Sequence, residues 1–542
     1  MAAPASPLDS FDWSLPYPSN RQPVMGSAAV ATSQPLAAQA GLDMLRRGGS
    51  AADAAVATAA AMTVVEPTTN GIGGDGFALV WDGARVQGLN ASGRSPKALT
   101  PERFAGQKVM PRRGWDPVNV PGAVSGWVAL WKRFGTLPFA QLLEPAIRLA
   151  EEGYLVAPNT AELWQRAYPK LESFAEWKRV FSVKGRAPRA GERIRLPDHA
   201  ATLRSIAASE GESFYRGDIA RRIAEAAAAD GGLMTADDLA AHAADWVEPL
   251  SVAYGGARMH QIPPNGQGVV ALIALSILRS RDLRLLEVDC PDSHHLAIEA
   301  IKLGFRVAHR DVADPRFMRV EPHELLDEGR IAGLAAMLDP SKAQDFQHGP
   351  PNPGGTILLC AADAQGRMVS LIQSNYEGWG SGVVVPGTGI AMHNRGANFT
   401  LEPGHPNQVG GGKRPYHTII PGFVTAEPAG GRPAAPLAAF GVMGGFMQPQ
   451  GQLQTFLRMV NHRQNPQAAL DAPRWQVTSG LKVMIEPGFE PSLLDELRRR
   501  GHDLQVADAR SVTFGRGQVI WRLDDGYVAA SDSRADGQAV VR

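Results

Sequence analysis

Residues 348–355 read His-Gly-Pro-Pro-Asn-Pro-Gly-Gly and divide the chain into two textures. Proline removes a backbone donor and glycine resists ordering, so this segment suits neither a helix nor a sheet ladder. Before it, residues 120 to 345 are mostly helical by pattern, with helices expected at Ser125–Arg133, Leu142–Glu152, Asp218–Ala229 and Ser293–His309. After it, apolar runs of strand length alternate with turn residues: Ile357–Ala362, Met368–Gln373, Gly382–Val385, Ile419–Val424 and Leu437–Val442. Asp363-Ala364-Gln365-Gly366 suits a hairpin turn between the first two runs. The chain must therefore combine helices and sheets, with a Pro/Gly segment delivered directly into a strand that opens with Thr356.

The N-terminal part carries its own punctuation. Gln34 to Arg47 has a helical period, Gly48-Gly49-Ser50 stops it, and Ser50 can cap a second, alanine-packed helix from Ala51 to about Val64. The loop Gly71 to Gly76 leads into a strand, Phe77–Trp81. A dinucleotide fingerprint would have different spacing and a helix after it, so this loop is expected to close over an active site rather than bind phosphate. No internal repeat is visible.

Hydrophobic residues make up 44% of the 542, enough for a substantial core. Lys plus Arg and Asp plus Glu each total 54, and a balanced chain offers no footprint for nucleic acid. Cys290 and Cys360 cannot form a disulfide framework and are expected as reduced, buried thiols, with a single bridge the alternative. No signal-peptide pattern or transmembrane run is present, which makes the cytoplasm the expected location, without membrane association. The histidines, including His294, His295, His309 and His405, lack the zinc-protease pattern; no metal and no cofactor is expected.

The Gly355–Thr356 bond can support self-cleavage. A threonine hydroxyl can attack the preceding carbonyl to give an ester that water opens, and glycines at 354 and 355 allow the backbone distortion this needs. The new α-amine of Thr356 titrates near 8 and can serve as base for the neighbouring hydroxyl. Gly-Gly-Thr alone equally describes a loop entering a strand, so context decides.

That context resembles the γ-glutamyltransferase family. The blocks are Gly73-Gly74-Asp75-Gly76-Phe77; Val120-Pro121-Gly122-Ala123-Val124-Ser125-Gly126-Trp127 with Glu144-Pro145-Ala146 and Ala150-Glu151-Glu152-Gly153; and Glu299-Ala300-Ile301-Lys302 with Asp314-Pro315. Gly355-Thr356-Ile357 through Gly366, Gly380-Ser381-Gly382-Val383 to Gly389-Ile390, Lys413-Arg414-Pro415 and Gly444-Gly445 follow in the family's order. The resemblance implies an α+β fold, the four-layer αββα sandwich of Ntn hydrolases. It also implies self-cleavage into residues 1–355 and 356–542, the two fragments remaining together as a heterodimer or as a dimer of heterodimers. Thr356 takes the nucleophile's place, Ser374 that of a hydroxyl bonded to it, and Gly444 and Gly445 that of the oxyanion hole.

The family's clamp for an α-amino acid is altered. Its arginine falls on Ser92, with Arg94 two residues on; its aspartate falls on Asn398; its two serines fall on His417 and Thr418. Local sequence is similar to a cytoplasmic bacterial subgroup that includes oxamate amidohydrolase and cephalosporin-type or γ-glutamyltransferase-like acylases. Oxamate has a carboxylate and no ammonium, which suits a pocket that keeps Arg94 or Arg395 as a cation and replaces the aspartate by Asn398. The residues have plainer readings too: Arg94 as a solvated turn arginine, Arg395 as a loop brace, His417 as a satisfied histidine donating to a carbonyl, and Asn398 as a backbone bridge. The expected function is hydrolysis of a small amide such as oxamate to oxalate and ammonia through an acyl-enzyme. Alternatives are γ-glutamyl hydrolysis or transfer on glutathione-like substrates, and a relative that binds a ligand without turnover.

Overall fold

The computed structural model describes residues 20–281, 283–346, 355–428, 434–508 and 511–542. The segment before the junction, His348 to Gly354, lies outside the described residues. Two seven-stranded sheets dominate what is described. One runs edge to edge through Gln538–Val541, Ala29–Thr32, Gly355–Ala362, Met368–Tyr376, Asp75–Trp81, Val86–Asn90 and Asp245–Val247. The other runs through Val24–Gly26, Tyr527–Ser531, Arg516–Arg522, Pro436–Met443, Gly422–Ala426, Ala257–Gln261 and Leu250–Tyr254. Strands from both sides of Gly355–Thr356 are interleaved in each sheet, so the two halves of the chain form one structural unit.

Period-two alternation explains the layering. Along Gly355–Ala362, Ile357, Leu359 and Ala361 join a core shared with helices, whereas Leu358, Cys360 and Ala362 join a core between the sheets. Both faces are buried, hence the unbroken apolar run in the sequence. The helices Pro35–Arg46, Ala51–Val65, Ala123–Phe134 and Phe139–Glu152 belong to the outer core of the Thr356 sheet. Val269–Leu278, Pro291–Asp311 and Met447–Asn461 belong to the outer core of the other. The inter-sheet core is thin, with Phe77, Leu358 and Ile372 facing Phe423, Ala439 and Ile520. This is the expected αββα sandwich.

Local structure follows the punctuation closely near the N-terminus. Ser50 and Asp53 form a reciprocal capping box on the fully buried Ala51–Val65 helix. Elsewhere the structure departs from the pattern. The expected strand Ile419–Val424 starts only at Gly422, because the Ile420 N–H is taken by the Gln448 side chain instead of a ladder partner. The expected run Gly382–Val385 shortens to Val384–Val385. Within the helical middle lies a hairpin, Leu250–Tyr254 with Ala257–Gln261, turned by Gly255 and Gly256 at φ 62° and 84°. Cys290 and Cys360 are both free thiols; Cys360 is buried and Cys290 only half-buried.

Helices Pro35–Arg46 and Ala51–Val65 approach closely at Gly41. A side chain there would collide with the Thr58 hydroxyl and come within 3.0 Å of the Ala54 carbonyl. Gly41→Val should therefore lower stability by about 1–3 kcal/mol, read as a reduced denaturation midpoint. An unchanged midpoint would show that the helices separate at no cost.

Candidate active site

The site starts from an irregularity. Gly355 pairs with Tyr376 and Ile357 with Gln373, so Thr356 faces two residues, Ser374 and Asn375, across a β-bulge. Tyr376, next in the bulge, has φ 73°. The bulge turns the Ser374 hydroxyl back onto the junction. Thr356 Oγ1 donates to Ser374 Oγ at 3.2 Å, and Ser374 Oγ donates to the Gly355 carbonyl at 2.6 Å. The Tyr376 N–H donates to Ser374 Oγ at 2.7 Å and fixes it. One serine thus touches both the hydroxyl that would attack and the carbonyl that would be attacked. Thr356 is 1% exposed.

Gly444 and Gly445 end the Pro436–Met443 strand and precede the helix Met447–Asn461. They adopt φ 132° and 57°, a conformation that disfavours other residues. Among the described residues neither N–H has an acceptor, and a following helix N-terminus adds positive potential where an oxyanion would form. The Gly445 carbonyl is anchored by Gln267 Nε2 at 2.9 Å. Gln448, on the first turn of that helix, accepts from the Ile420 N–H at 2.9 Å and points Nε2 at Thr356 Oγ1, 3.5 Å away. Nothing in the sequence pattern singled out Gln448.

Beside Thr356 and Ser374 lies a buried charge cluster. Arg395 is 0% exposed; its guanidinium donates to Thr418 Oγ1 at 2.8 Å and Ser374 Oγ at 3.2 Å, and stacks 4.6 Å from the Tyr376 ring centre. Among the described residues no carboxylate lies within 4 Å of it, and its Nε is a buried donor without a partner. Burial pulls Arg395 down to about 10, so it stays charged at neutral pH.

Its counter-ion at longer range is Asp75, whose position no sequence argument had assigned a role. Asp75 Oδ1 accepts from the Gly93 and Gly122 N–H groups at 3.2 and 3.1 Å, and Oδ2 accepts from His417 Nε2 at 3.0 Å. Burial would raise the Asp75 carboxyl, but His393, the His417 bond and Arg395 hold it well below the carboxylate range. His417 accepts the Ile419 N–H at Nδ1, which makes it the neutral Nε2–H tautomer. Burial, then the Arg395 charge, push it down to about 3. His393 has the same arrangement, donating to the Asn119 carbonyl and accepting from the Arg395 N–H, and burial lowers it as well.

Among the expected pocket residues, the structure brings Thr356, Ser374, Arg395 and Thr418 into one bonded set. His417 sits behind them with both ring nitrogens occupied, donating to Asp75 rather than to a carbonyl. Arg94 is held elsewhere: its guanidinium bonds Asp314 at 2.6 Å and it has no bond to that set. Ser92 is tied to Asn90 at 2.7 Å and carries no charge for a substrate. Asn398 ends the 3₁₀ turn that Arg395 begins; its carbonyl accepts from Asn407, and its Nδ2 is a second buried donor without a partner.

Two other features stand apart. His295, Glu299 and His502 bring possible metal ligands within 4.8 Å of one another, but Lys302 Nζ lies 2.7 Å from Glu299 and already supplies a cation there. A partly open pocket lined by Leu283, His294, Leu457, Arg458 and Trp475 contains none of the residues bonded to Thr356. Among the described residues no helix is long and apolar enough to cross a membrane.

The buried histidines make stability depend on pH. His417 is depressed to about 3 and His199 and His242 to about 4, mainly by burial, while unfolded histidine titrates near 6.5. Between about pH 6.5 and 4 the unfolded chain binds protons that the folded chain refuses, so stability falls as pH falls. At pH 5 each such histidine should cost about 2 kcal/mol relative to pH 7.5. Denaturant unfolding at both pH values should show the loss, and His417→Gln should make it smaller by one histidine's share. A pH loss identical in the variant would mean that His417 protonates within the fold.

Comparison with known proteins places the chain in a family. The Gamma-glutamyltranspeptidase family model matches residues 37–542. The chain is 36% identical over 518 residues to the oxamate amidohydrolase proenzyme of Klebsiella pneumoniae, covering 93% of this chain and 96% of that protein. It is 34% identical over 536 residues to the glutathione hydrolase-like YwrD proenzyme of Bacillus subtilis, covering 96% and 99%. The crystal structure of cephalosporin acylase from Bacillus halodurans superposes with a TM-score of 0.93 at 48% identity, covering 98% of this chain and 99% of that one. The chain belongs to the γ-glutamyltranspeptidase family of self-processing Ntn hydrolases, and with that family it is an amide hydrolase.

Proposed function

We propose that the chain cuts itself before Thr356 and then hydrolyses small amides whose scissile carbonyl lies next to a carboxylate, with oxamate as the model substrate. The observation that carries this reading is the position of Arg395. Its Nη2 and Thr356 Oγ1 both lie 3.2 Å from Ser374 Oγ, so they are no more than twice that distance apart. In oxamate the carboxylate carbon is bonded directly to the amide carbonyl carbon. Such a short acid can pair with Arg395 while its carbonyl meets Thr356. A γ-glutamyl group separates the same two functions by three carbons and carries an ammonium as well. For that ammonium Asn398 has no charge, and Ser92 has none for the carboxylate. The unsatisfied Nε donor of Arg395 favours an anion, since a buried donor without a partner costs about 1–3 kcal/mol.

The Thr356 hydroxyl attacks the amide carbon and passes its proton to the α-amine freed by self-cleavage. Gly444 and Gly445 N–H groups receive the oxyanion. Ammonia leaves with a proton returned by the α-ammonium, and water then opens the ester to release the diacid. After cleavage the fragments 1–355 and 356–542 stay together, because their strands share both sheets. No cofactor enters this sequence.

Intact-mass analysis tests the first step: wild type should resolve into two fragments, the smaller beginning at Thr356, with Thr356→Ala remaining whole. The pocket is tested in the processed enzyme by Arg395→Met. Its kcat/KM for oxamate should fall about 10²- to 10³-fold, as expected for a desolvated charge pair that loses one partner, while a neutral amide is much less affected. Equal losses on charged and neutral amides would remove Arg395 as the carboxylate receptor. Faster turnover of γ-glutamyl amides than of oxamate would replace the substrate reading.

A further inference from the structure

We propose that Gln448 is a catalytic residue whose carboxamide N–H stabilises Thr356 Oγ1 as it leaves the acyl-enzyme, so that it promotes deacylation. This rests on the amide-hydrolase reading above.

The side chain has a defined orientation. Its Oε1 accepts the Ile420 N–H at 2.9 Å, which settles which end of the amide is which and leaves Nε2 facing Thr356 Oγ1 at 3.5 Å. It is 0% exposed. The neighbouring glutamines of the same helix have other tasks: Gln450 bonds the Phe446 and Val477 carbonyls, Gln452 the Ile420 carbonyl, and Gln454 the Gln450 and Trp475 carbonyls. Among these four, Gln448 alone is aimed at the nucleophile. The contact is long for a hydrogen bond, as catalytic contacts often are before substrate or charge arrives.

Chemistry assigns the step. In the intact chain Thr356 Oγ1 already donates its proton to Ser374. A donor onto that same oxygen does little for its attack, because it draws electron density away from the nucleophile. In deacylation the direction reverses. Water adds to the ester carbon and gives one proton to the α-amine; the tetrahedral adduct collapses, the carbon–Oγ1 bond breaks, and its electron pair goes to Oγ1. A donor placed there stabilises the developing alkoxide until the α-ammonium returns the proton. The ester formed at Gly355 during self-cleavage has the same leaving oxygen, so Gln448 assists that hydrolysis too.

Gln448→Glu keeps an oxygen for the Ile420 N–H but removes the donor, and Gln448→Leu removes both. Oxamate and γ-glutamyl-p-nitroanilide serve as substrates, and intact mass after rapid acid quench reads the acylated small fragment. Both variants should lose about 10- to 100-fold in kcat, the scale for one lost transition-state donor. KM should fall with kcat, leaving kcat/KM nearly unchanged, and acylated fragment should accumulate at steady state. Self-cleavage should slow, with an ester trappable by hydroxylamine as a hydroxamate at Gly355. The proposal fails if kcat/KM falls as much as kcat while the fragment stays unacylated, or if neither variant changes rate. Wild type that turns over neither amide defeats the hydrolase reading first and this inference with it.

Discussion

The bond from Ser374 to the Gly355 carbonyl depends on one extra residue in the neighbouring strand. A regular antiparallel ladder would place a single residue opposite Thr356; the bulge places Ser374 and Asn375 there instead. Ser374 then meets the threonine hydroxyl, the Gly355 carbonyl, the Tyr376 N–H and the Arg395 guanidinium at once. Bulges disturb a ladder and are kept where they re-aim a side chain. Here the disturbance lies in a strand covered on both faces, where a residue displaced by one position would otherwise exchange the two cores.

The second constraint is charge. A guanidinium with no solvent exposure and, among the described residues, no adjacent carboxylate is costly, and the fold offsets it with Asp75 behind a screen of neutral histidines. Asp75 is itself held by two glycine N–H groups, at Gly93 and Gly122, where any side chain would collide with a backbone carbonyl. Arg395 is therefore neutralised only at a distance. The glycine blocks of the sequence thus serve electrostatics as much as chain turning.

Much of the architecture was legible in the residues. Alternating apolar runs after Thr356, the Ser50 cap and the alanine-packed helix are local signals, and local signals survive in a single sequence. The Leu250–Gln261 hairpin was obscured because its strands are short and surrounded by helical pattern, leaving Gly255-Gly256 as its only mark. Ile419 and Ile420 have strand propensity, yet side chains of Gln267 and Gln448 claim the local backbone groups and delay the strand. In the pocket, the sequence puts Arg94 forward first as a cation and Arg395 second. Only the fold separates them, sending Arg94 to Asp314 and burying Arg395 against Ser374.

The sequence by itself determined the fold class and the family, because both rest on residues near one another or on blocks in a fixed order. It also put forward the junction where a threonine nucleophile would be released. Tertiary structure decided the electrostatics and aim of the site. His417 meets Asp75 across 342 residues and Gln448 meets Thr356 across 92. No periodicity encodes such pairs. They exist because two stacked sheets bring the Asp75 strand, the Thr356 strand and the start of the Met447–Asn461 helix to one place, where burial makes each polar contact consequential.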